Sequence, residues 1–419
     1  MKAEPGAAAR RLAFPLALLL ALAPALPGAA QGLRLRIEGA ASGAWAPVGS
    51  LEAALGFARR QSTAGTARLL WERGAGPLRL EAQAVIRHDN GGDVALATAL
   101  APFLPPPAPS TLFDLTGIWT SSAGTRLSGR IDRLGIALSG ETAVLKLGRQ
   151  AITWGSGIVF HPSDIVAPFA PNAPDSAYKP GVDMVYGQLL LEGGADIQAI
   201  WVPRPLVAGG PAASAASTLA LRGQAGFGSL DAALMLARDR GDSVAGLALS
   251  GALGGASWNA EAVGWQLSGG GFRSLYLLNI AGFGQLFGRN ASYFAEYLHS
   301  GFGVGAASPL DSLPADLTKR LSTGQLFLAG RDFLALGGRL ELTPDLSLAP
   351  GAIFSLGDGS ALARLSATWA LGDTGSLELG LSRPFGAPGS EFGGRETSAG
   401  SGIHATPATR LELKLVRFF

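Results

Sequence analysis

The chain has 419 residues, 47% of them hydrophobic and only 15% charged, with 60 glycines and no cysteine. That balance excludes intrinsic disorder, and the glycines, at twice the usual ~7%, follow no Gly-X-Y period that would give a collagen helix. The formal net charge of +2 excludes a strongly basic nucleic-acid surface, because Lys2, Arg10 and Arg11 against Glu4 carry that excess within residues 1–30.

Those first residues read as a cleaved secretory signal. A basic stretch precedes an apolar run at 12–26, and Gly28, Ala29 and Ala30 supply small residues before a cut near Gln31. The run is interrupted by Pro15 and Pro24 and falls short of the ~20 apolar residues that a spanning helix needs. Without cysteine the exported chain carries no disulfide, thiol nucleophile or lipid-anchored N-terminal Cys.

From residue 31 onward the pattern is one of short alternating runs. In chain order they predict strands at 33–45, 66–73, 77–87, 127–138, 142–149, 184–191, 196–203, 219–226, 230–238, 243–250, 256–265, 273–283, 291–299, 333–342, 346–356, 360–370, 375–384 and 410–419. Each has one apolar and one polar side, as a strand with a period of two requires. In 196–201, Ile197, Ala199 and Trp201 oppose Asp196 and Gln198; in 376–382, Leu377, Leu379 and Leu381 oppose Glu378 and Gly380. Counted back from a final strand that descends to the periplasm, the long segments 47–65, 88–126, 150–183, 204–218, 300–332 and 385–409 share one side. Short turns on one side and long loops on the other are the outer-membrane pattern. The expected fold is therefore all-β: a single transmembrane antiparallel β-barrel over 31–419 with about 18 strands, 16 being the alternative. Hydrocarbon cannot satisfy an open strand edge, so the sheet must close, and a ring of this size leaves an aqueous interior lined by polar side chains.

The segment 148–183 stands apart from the strands. Pro162, Pro168, Pro171, Pro174 and Pro180 forbid regular structure there, and a structured loop of that length usually has a task. Two readings of its residues stay open. Arg149, Trp154, Asp164, Asp175, Tyr178, Lys179 and Asp183 form a constriction loop folded into the pore, or the charged ones cap turns and pair with each other at the rim. Arg149 shares the parity of Leu145 and Leu147 and so faces lipid unless the strand ends or bulges before it. The lumen wall is expected to include Arg133, Lys146, Gln188, Arg339, Glu341, Arg364 and Glu378. Their mixed signs argue against a pore for anions only.

Gly148-Arg149-Gln150, Trp154-Gly155, Pro162 with Asp164, Pro168-Phe169, and Lys179-Pro180-Gly181 with Asp183 together form a recognisable series. Arg331-Asp332-Phe333, Leu342-Thr343-Pro344, Gly357-Asp358-Gly359-Ser360 and Glu391-Phe392-Gly393 extend it over roughly the C-terminal two-thirds. The series resembles a group of bacterial outer-membrane porin-like barrels, related in style to alginate-export porins. The resemblance implies a barrel fold in the outer membrane and leaves the solute unspecified. The closing strand resembles the C-terminal insertion signal of such proteins, with Phe419 as the terminal aromatic read by the barrel-assembly machinery; Arg417, on the apolar face, departs from that pattern. Outer-membrane lipid and lipopolysaccharide are the other implied partners.

The expected function is a passive channel for small polar solutes or a polysaccharide. A barrel plugged by 150–183, acting structurally or as a receptor, is the second reading, and a soluble exported β-protein the third. No enzyme signature is present, no cofactor is implied, and His88, His161, His299 and His404 are too scattered in sequence to suggest a metal site.

Overall fold

The computed structural model describes residues 32–104, 108–168, 178–305 and 308–419. The expected leader 1–30 and Asp175 lie outside the described residues. Eighteen strands form one closed antiparallel ring. They are β1 (Leu33–Trp45), β2 (Arg59–Ala75), β3 (Leu78–Gly91), β4 (Thr125–Ser139), β5 (Ala143–Gln150), β6 (Val182–Leu190), β7 (Asp196–Val202), β8 (Thr218–Phe227) and β9 (Leu230–Asp239). The ring continues with β10 (Asp242–Leu253), β11 (Ala256–Gln266), β12 (Phe272–Leu286), β13 (Arg289–Ser300), β14 (Asp332–Glu341), β15 (Leu346–Ser355), β16 (Ala361–Ala370), β17 (Gly375–Phe385) and β18 (Thr409–Phe418). Each strand pairs with its neighbours in sequence, and β18 closes the ring on β1 in a register running from Arg36↔Phe418 to Trp45↔Thr409. Backbone bonds between Leu35 and Phe419 extend that seam.

The expected strands all appear, with different ends. β2 begins at Arg59 rather than 66, and β12 runs on to Leu286. Three short strands were not expected. Thr116–Ser121 pairs with β4 above the end of β5, and Arg395–Glu396 forms a small hairpin with His404–Ala405. The six long connections, 46–58, 92–124, 151–181, 203–217, 301–331 and 386–408, all leave one end of the ring. Both chain ends of the barrel sit at the other, short-turn end.

Side-chain burial alternates as the pleat dictates. Along β7, Asp196, Gln198, Ile200 and Val202 are buried inside the ring, while Ile197 and Trp201 are exposed on its outside. The same inversion places Leu411 and Leu413 outside and Lys414 and Val416 inside on β18. An outer surface of Leu, Ile and Val is what a hydrocarbon environment selects. Exposed aromatics mark both margins of that surface. Phe227, Phe283, Tyr293, Trp369 and Phe419 lie toward the short-turn end, and Trp45, Trp201, Phe272, Tyr297 and Phe385 toward the long-loop end. These aromatic belts use mainly Phe and Trp where Tyr is scarce. Arg417 points outward beside Phe419, its guanidinium 6.0 Å from that ring, and the aliphatic stem covers apolar surface.

The interior corrects one expectation: the lumen wall is not polar throughout. On β6–β14 many inward residues are apolar and tightly buried, because loops fold back onto them. Trp154, Ile165 and Val166 pack against Met184, Ile200, Val263 and Trp265 of the wall, with Phe302 and Leu317 above. Phe160 joins a second cluster with Leu277, Leu298, Phe333, Ile353 and Phe392.

The two faces predict opposite tolerances. Leu413→Lys, outward and mid-strand, is expected to destabilise the barrel by about 2–4 kcal/mol. Ser382→Lys, inward on β17, is expected to cost about 0.5 kcal/mol or less. Urea unfolding in lipid vesicles measures both.

Candidate functional site: the lumen and its inward loop

Residues 151–168 leave β5 and fold into the lumen, and 178–181 lead into β6. The departure depends on Gly148. That residue has a φ of 113°, and an added Cβ would stand 2.2 Å from the Leu134 carbonyl oxygen. Strand register nevertheless runs on unbroken through Leu134↔Arg149 and Arg149↔Asp183, so what keeps Arg149 from lipid is what covers it. Arg149 is instead buried, donating to Asp183 at 2.9 and 3.0 Å and to the Ile131 carbonyl at 3.1 Å. The Phe113 carbonyl, from the 92–124 loop, accepts a further bond at 2.5 Å, and the Phe113 N–H donates to Asp183. This pair therefore sits at the rim, roofed by a neighbouring loop.

Once inside, the loop has no secondary structure, so its amides need acceptors. Two wall carboxylates supply them. Glu296 on β13 accepts from the N–H groups of Ile158, Val159 and Phe160 at 2.7, 3.0 and 2.6 Å, and from Asn279 at 2.9 Å. Glu261 on β11 accepts from the N–H of Ser156 at 2.5 Å, its hydroxyl at 2.7 Å and the N–H of Ser163 at 2.9 Å. Asn259 donates back to the Ser156 carbonyl. Charged acceptors make such bonds short and strong. Gly157 permits this path, since a Cβ there would lie 1.9 Å from the Phe160 carbonyl oxygen.

Asp164 ties the loop to itself. One oxygen accepts from the N–H of Trp154 at 2.6 Å and Gly155 at 3.1 Å; the other meets Lys179 Nζ at 2.8 Å. The Trp154 indole donates to Gln198 of β7. Burial pulls the Lys179 ammonium below its usual value, with Asp164 opposing that shift. Tyr178, on the return limb, lies beneath the guanidinium groups of Arg68 at 4.1 Å and Arg36 at 5.2 Å, a cation–π dock onto β2 and β1.

Three more segments, 203–217, 301–331 and 386–408, cap the long-loop end. Arg320 of 301–331 bonds Asp242 at 2.8 Å and stacks on Phe302. Fully buried Arg204 reaches the carbonyl of Val166 and the hydroxyl of Thr218, and burial, with Arg240 nearby, pushes its guanidinium down to about 10. In 386–408, Glu391 accepts from the Ala329 N–H and pairs with Arg395, joining the two segments. Asp358 in the 356–360 link accepts from Ser360 and from the Glu391 N–H at 2.8 Å. Burial pushes the Asp358 carboxyl up, but those hydrogen bonds outweigh it and leave it below the usual 3.8.

The inward loop leaves one side of the lumen uncovered. A cavity of about 580 Å³ runs between Val159 of the loop and the wall of β14–β18. Its lining extends from Arg60 and Arg410 near the long-loop end to Glu378 and Gly338 toward the other, with Arg364, Lys414 and Glu412 between. Arg410 bonds Asp93 at 2.9 Å, Arg60 pairs with Glu52 and Asp93, and Lys414 with Glu378 at 2.9 Å.

Of the expected wall residues, Arg364 and Glu378 line this cavity. Arg339 and Glu341 share the inward parity of Phe333 on β14, and Asn290 donates to Glu341. Arg133 is buried against the Lys179 carbonyl, while Lys146 lies over the Tyr186 ring, whose hydroxyl donates to Gln188. The expected loop residues come together as two ion pairs and two aromatic anchors. Glu261, Glu296, Asn279 and Asn259, which hold the loop, were not singled out from sequence. Their signal was a lone carboxylate on the inward parity of two otherwise uncharged strands, β11 and the middle of β13.

Two outcomes follow. Glu296→Ala leaves three loop amides without their acceptor; at about 3 kcal/mol of local stability, hydrogen exchange at 158–160 is expected to rise on the order of a hundredfold. Asp358 contributes stability above its ordinary carboxylate range and loses it as pH falls through its lowered value. Protection of the Glu391 amide, corrected for intrinsic exchange, is therefore expected to fall on acidification below about pH 4, and Asp358→Asn to abolish that dependence.

No protein-family model matches the chain, and no curated protein matches it in sequence. Solved structures match in fold. Pseudomonas aeruginosa OccK5 (OpdH) superposes with a TM-score of 0.55 at 10% identity, covering 94% of this chain and 99% of its own. Acinetobacter baumannii OccAB2 gives 0.52 at 9%, covering 93% and 97%. Escherichia coli Wzi, described as an outer-membrane protein of group 1 capsule assembly and a carbohydrate-binding β-barrel, gives 0.55 at 12%, covering 100% and 89%. At these identities the likeness is one of architecture: the chain folds as a closed 18-stranded antiparallel barrel of the outer-membrane type.

Proposed function

We propose that the protein is a porin-like channel of the bacterial outer membrane, passing small polar solutes or a polysaccharide through the lane beside the inward loop. The observation that carries this reading is the cavity of about 580 Å³ bounded by Val159 on one side and, on the other, by a wall in which Arg60, Arg364, Glu378, Arg410, Glu412 and Lys414 stand among small and apolar residues. A lane that carries charged groups along its length and reaches toward both ends of the ring is what passive conduction requires. The apolar outer face argues for a membrane location over a soluble one. Export through a leader at 1–30, recognition of the Phe419 strand by the assembly machinery, and contact with lipid and lipopolysaccharide belong to the same proposal.

Within it the charges divide by task. Arg149 with Asp183 and Lys179 with Asp164 hold the loop, being buried and paired. Selectivity falls to the lane, where Arg60, Arg364, Arg410 and Lys414 face Glu378 and Glu412. Cations outnumber anions, so a modest anion preference is expected. The plugged-barrel reading keeps support from the apolar packing of the loop across β6–β14, and Wzi offers a carbohydrate-binding precedent for the fold.

Planar-bilayer recording decides between them. The folded protein is expected to conduct, and Arg364→Glu to shift the reversal potential toward cations while Arg149→Ala leaves it unchanged. No conductance before removal of 156–163, with conductance after, supports the plug instead.

A further inference from the structure

On the outside of the ring, neighbouring strands bring a row of side chains to the margin where the long loops begin. Trp45 ends β1, with Thr409 of β18 on one side and Arg59 of β2 on the other. One residue beyond the Ser382↔Arg410 pair, Arg383 of β17 continues the row past Thr409. The row faces outward, since the adjacent residues Ala44, Arg60, Ser382 and Arg410 line the lane inside. Three strand spacings of about 4.8 Å separate the backbones of Arg383 and Arg59, roughly 14 Å in all.

The two arginines at the ends of this row have no carboxylate partner among the described residues, whereas the inward Arg60 and Arg410 beside them are paired with Glu52 and Asp93. Arg383 lies over the exposed Phe385 ring, its guanidinium 5.0 Å from the centroid. The Trp45 indole is folded flat over Gly43, where an added Cβ would stand 2.9 Å from the ring, and is 45% exposed.

A cavity of about 380 Å³ opens at this margin, within the range of roughly 300–1,000 Å³ usual for small-ligand sites. Trp45, Arg383 and Thr409 form its strand edge, and Pro47, Pro388 and His404 belong to the loops above. Among the described residues no carboxylate lines it. A guanidinium without a carboxylate, at the border of an apolar face, suits a phosphate, which it meets with paired charge-assisted hydrogen bonds. The flat rings of Trp45 and the prolines give packing surface for a sugar, and the leucines below suit acyl chains.

We propose that this margin is a binding site for a phosphorylated glycolipid of the outer leaflet. Its sugar sits in the cavity against Trp45, one phosphate meets Arg383 and a second reaches Arg59, and its acyl chains run down the outer face of β17, β18 and β1. The inference rests on the outer-membrane placement proposed above and is independent of conduction.

Native mass spectrometry of the folded full chain in a polyoxyethylene detergent, with bisphosphorylated lipid A added, tests this. One lipid A is expected to stay bound. Its fully dephosphorylated form is expected to bind the wild type roughly tenfold more weakly, and lipid A to bind Arg383→Gln more weakly by a similar factor. Arg59→Gln is also expected to weaken binding. Arg238→Gln is expected to leave it unchanged, because Arg238 faces outward at the same end but on β9, where it bonds Ser243. Equal retention of the two lipid A forms, or a loss in Arg238→Gln as large as in Arg383→Gln, overturns the site. Phosphatidylglycerol binding as tightly as lipid A reduces it to attraction between unlike charges and overturns it too. Membrane fractionation separates the two claims. Recovery with the outer membrane but without the lipid preference sinks the site alone, while recovery from the soluble periplasm sinks the placement on which it rests.

Discussion

Backbone hydrogen bonding between β18 and β1 is the constraint on which everything else in this molecule rests. A strand edge facing hydrocarbon has no partner, so the register from Arg36↔Phe418 to Trp45↔Thr409 must close the ring. Closure with eighteen strands produces an interior wider than side chains alone fill. That surplus space is what the loops then occupy on one side and leave uncovered on the other.

The same rule of satisfied backbone groups governs the inward loop. Outside a helix or sheet its amides have no repeating partners. Glu261 and Glu296 substitute for a strand, collecting amide donors from Ser156, Ile158, Val159, Phe160 and Ser163. Their negative charge is spent on donors of the loop and does not face the lane. The contrast with Arg364, Glu412 and Lys414 is thus one of environment: the same residue types scaffold where they are sealed and line open space where a cavity reaches them.

Much of the fold was legible because strand alternation is a local property. Ile197 and Trp201 against Asp196 and Gln198 already state which face meets lipid, whatever lies around them. Arg149 shows where locality ends. Its parity pointed outward, and Phe113 of the distant 92–124 segment closes over it and its partner Asp183. Glu296 reads in sequence as one more polar wall position; that it binds residues 136–138 places earlier in the chain is a fact of folding alone.

By itself the sequence determined the period of two, the apolar outer face, the even number of strands and the end from which long loops emerge. Each follows from neighbours a few residues apart, since alternation and turns are written locally. Only the tertiary structure decided which lumen residues are sealed and which meet solvent. That depends on where 151–168, 301–331 and 386–408 come to rest inside the ring, and on carboxylates that meet them from distant strands. The partition of the lumen into a packed half and a charged lane is a product of that long-range packing, which no local pattern encodes.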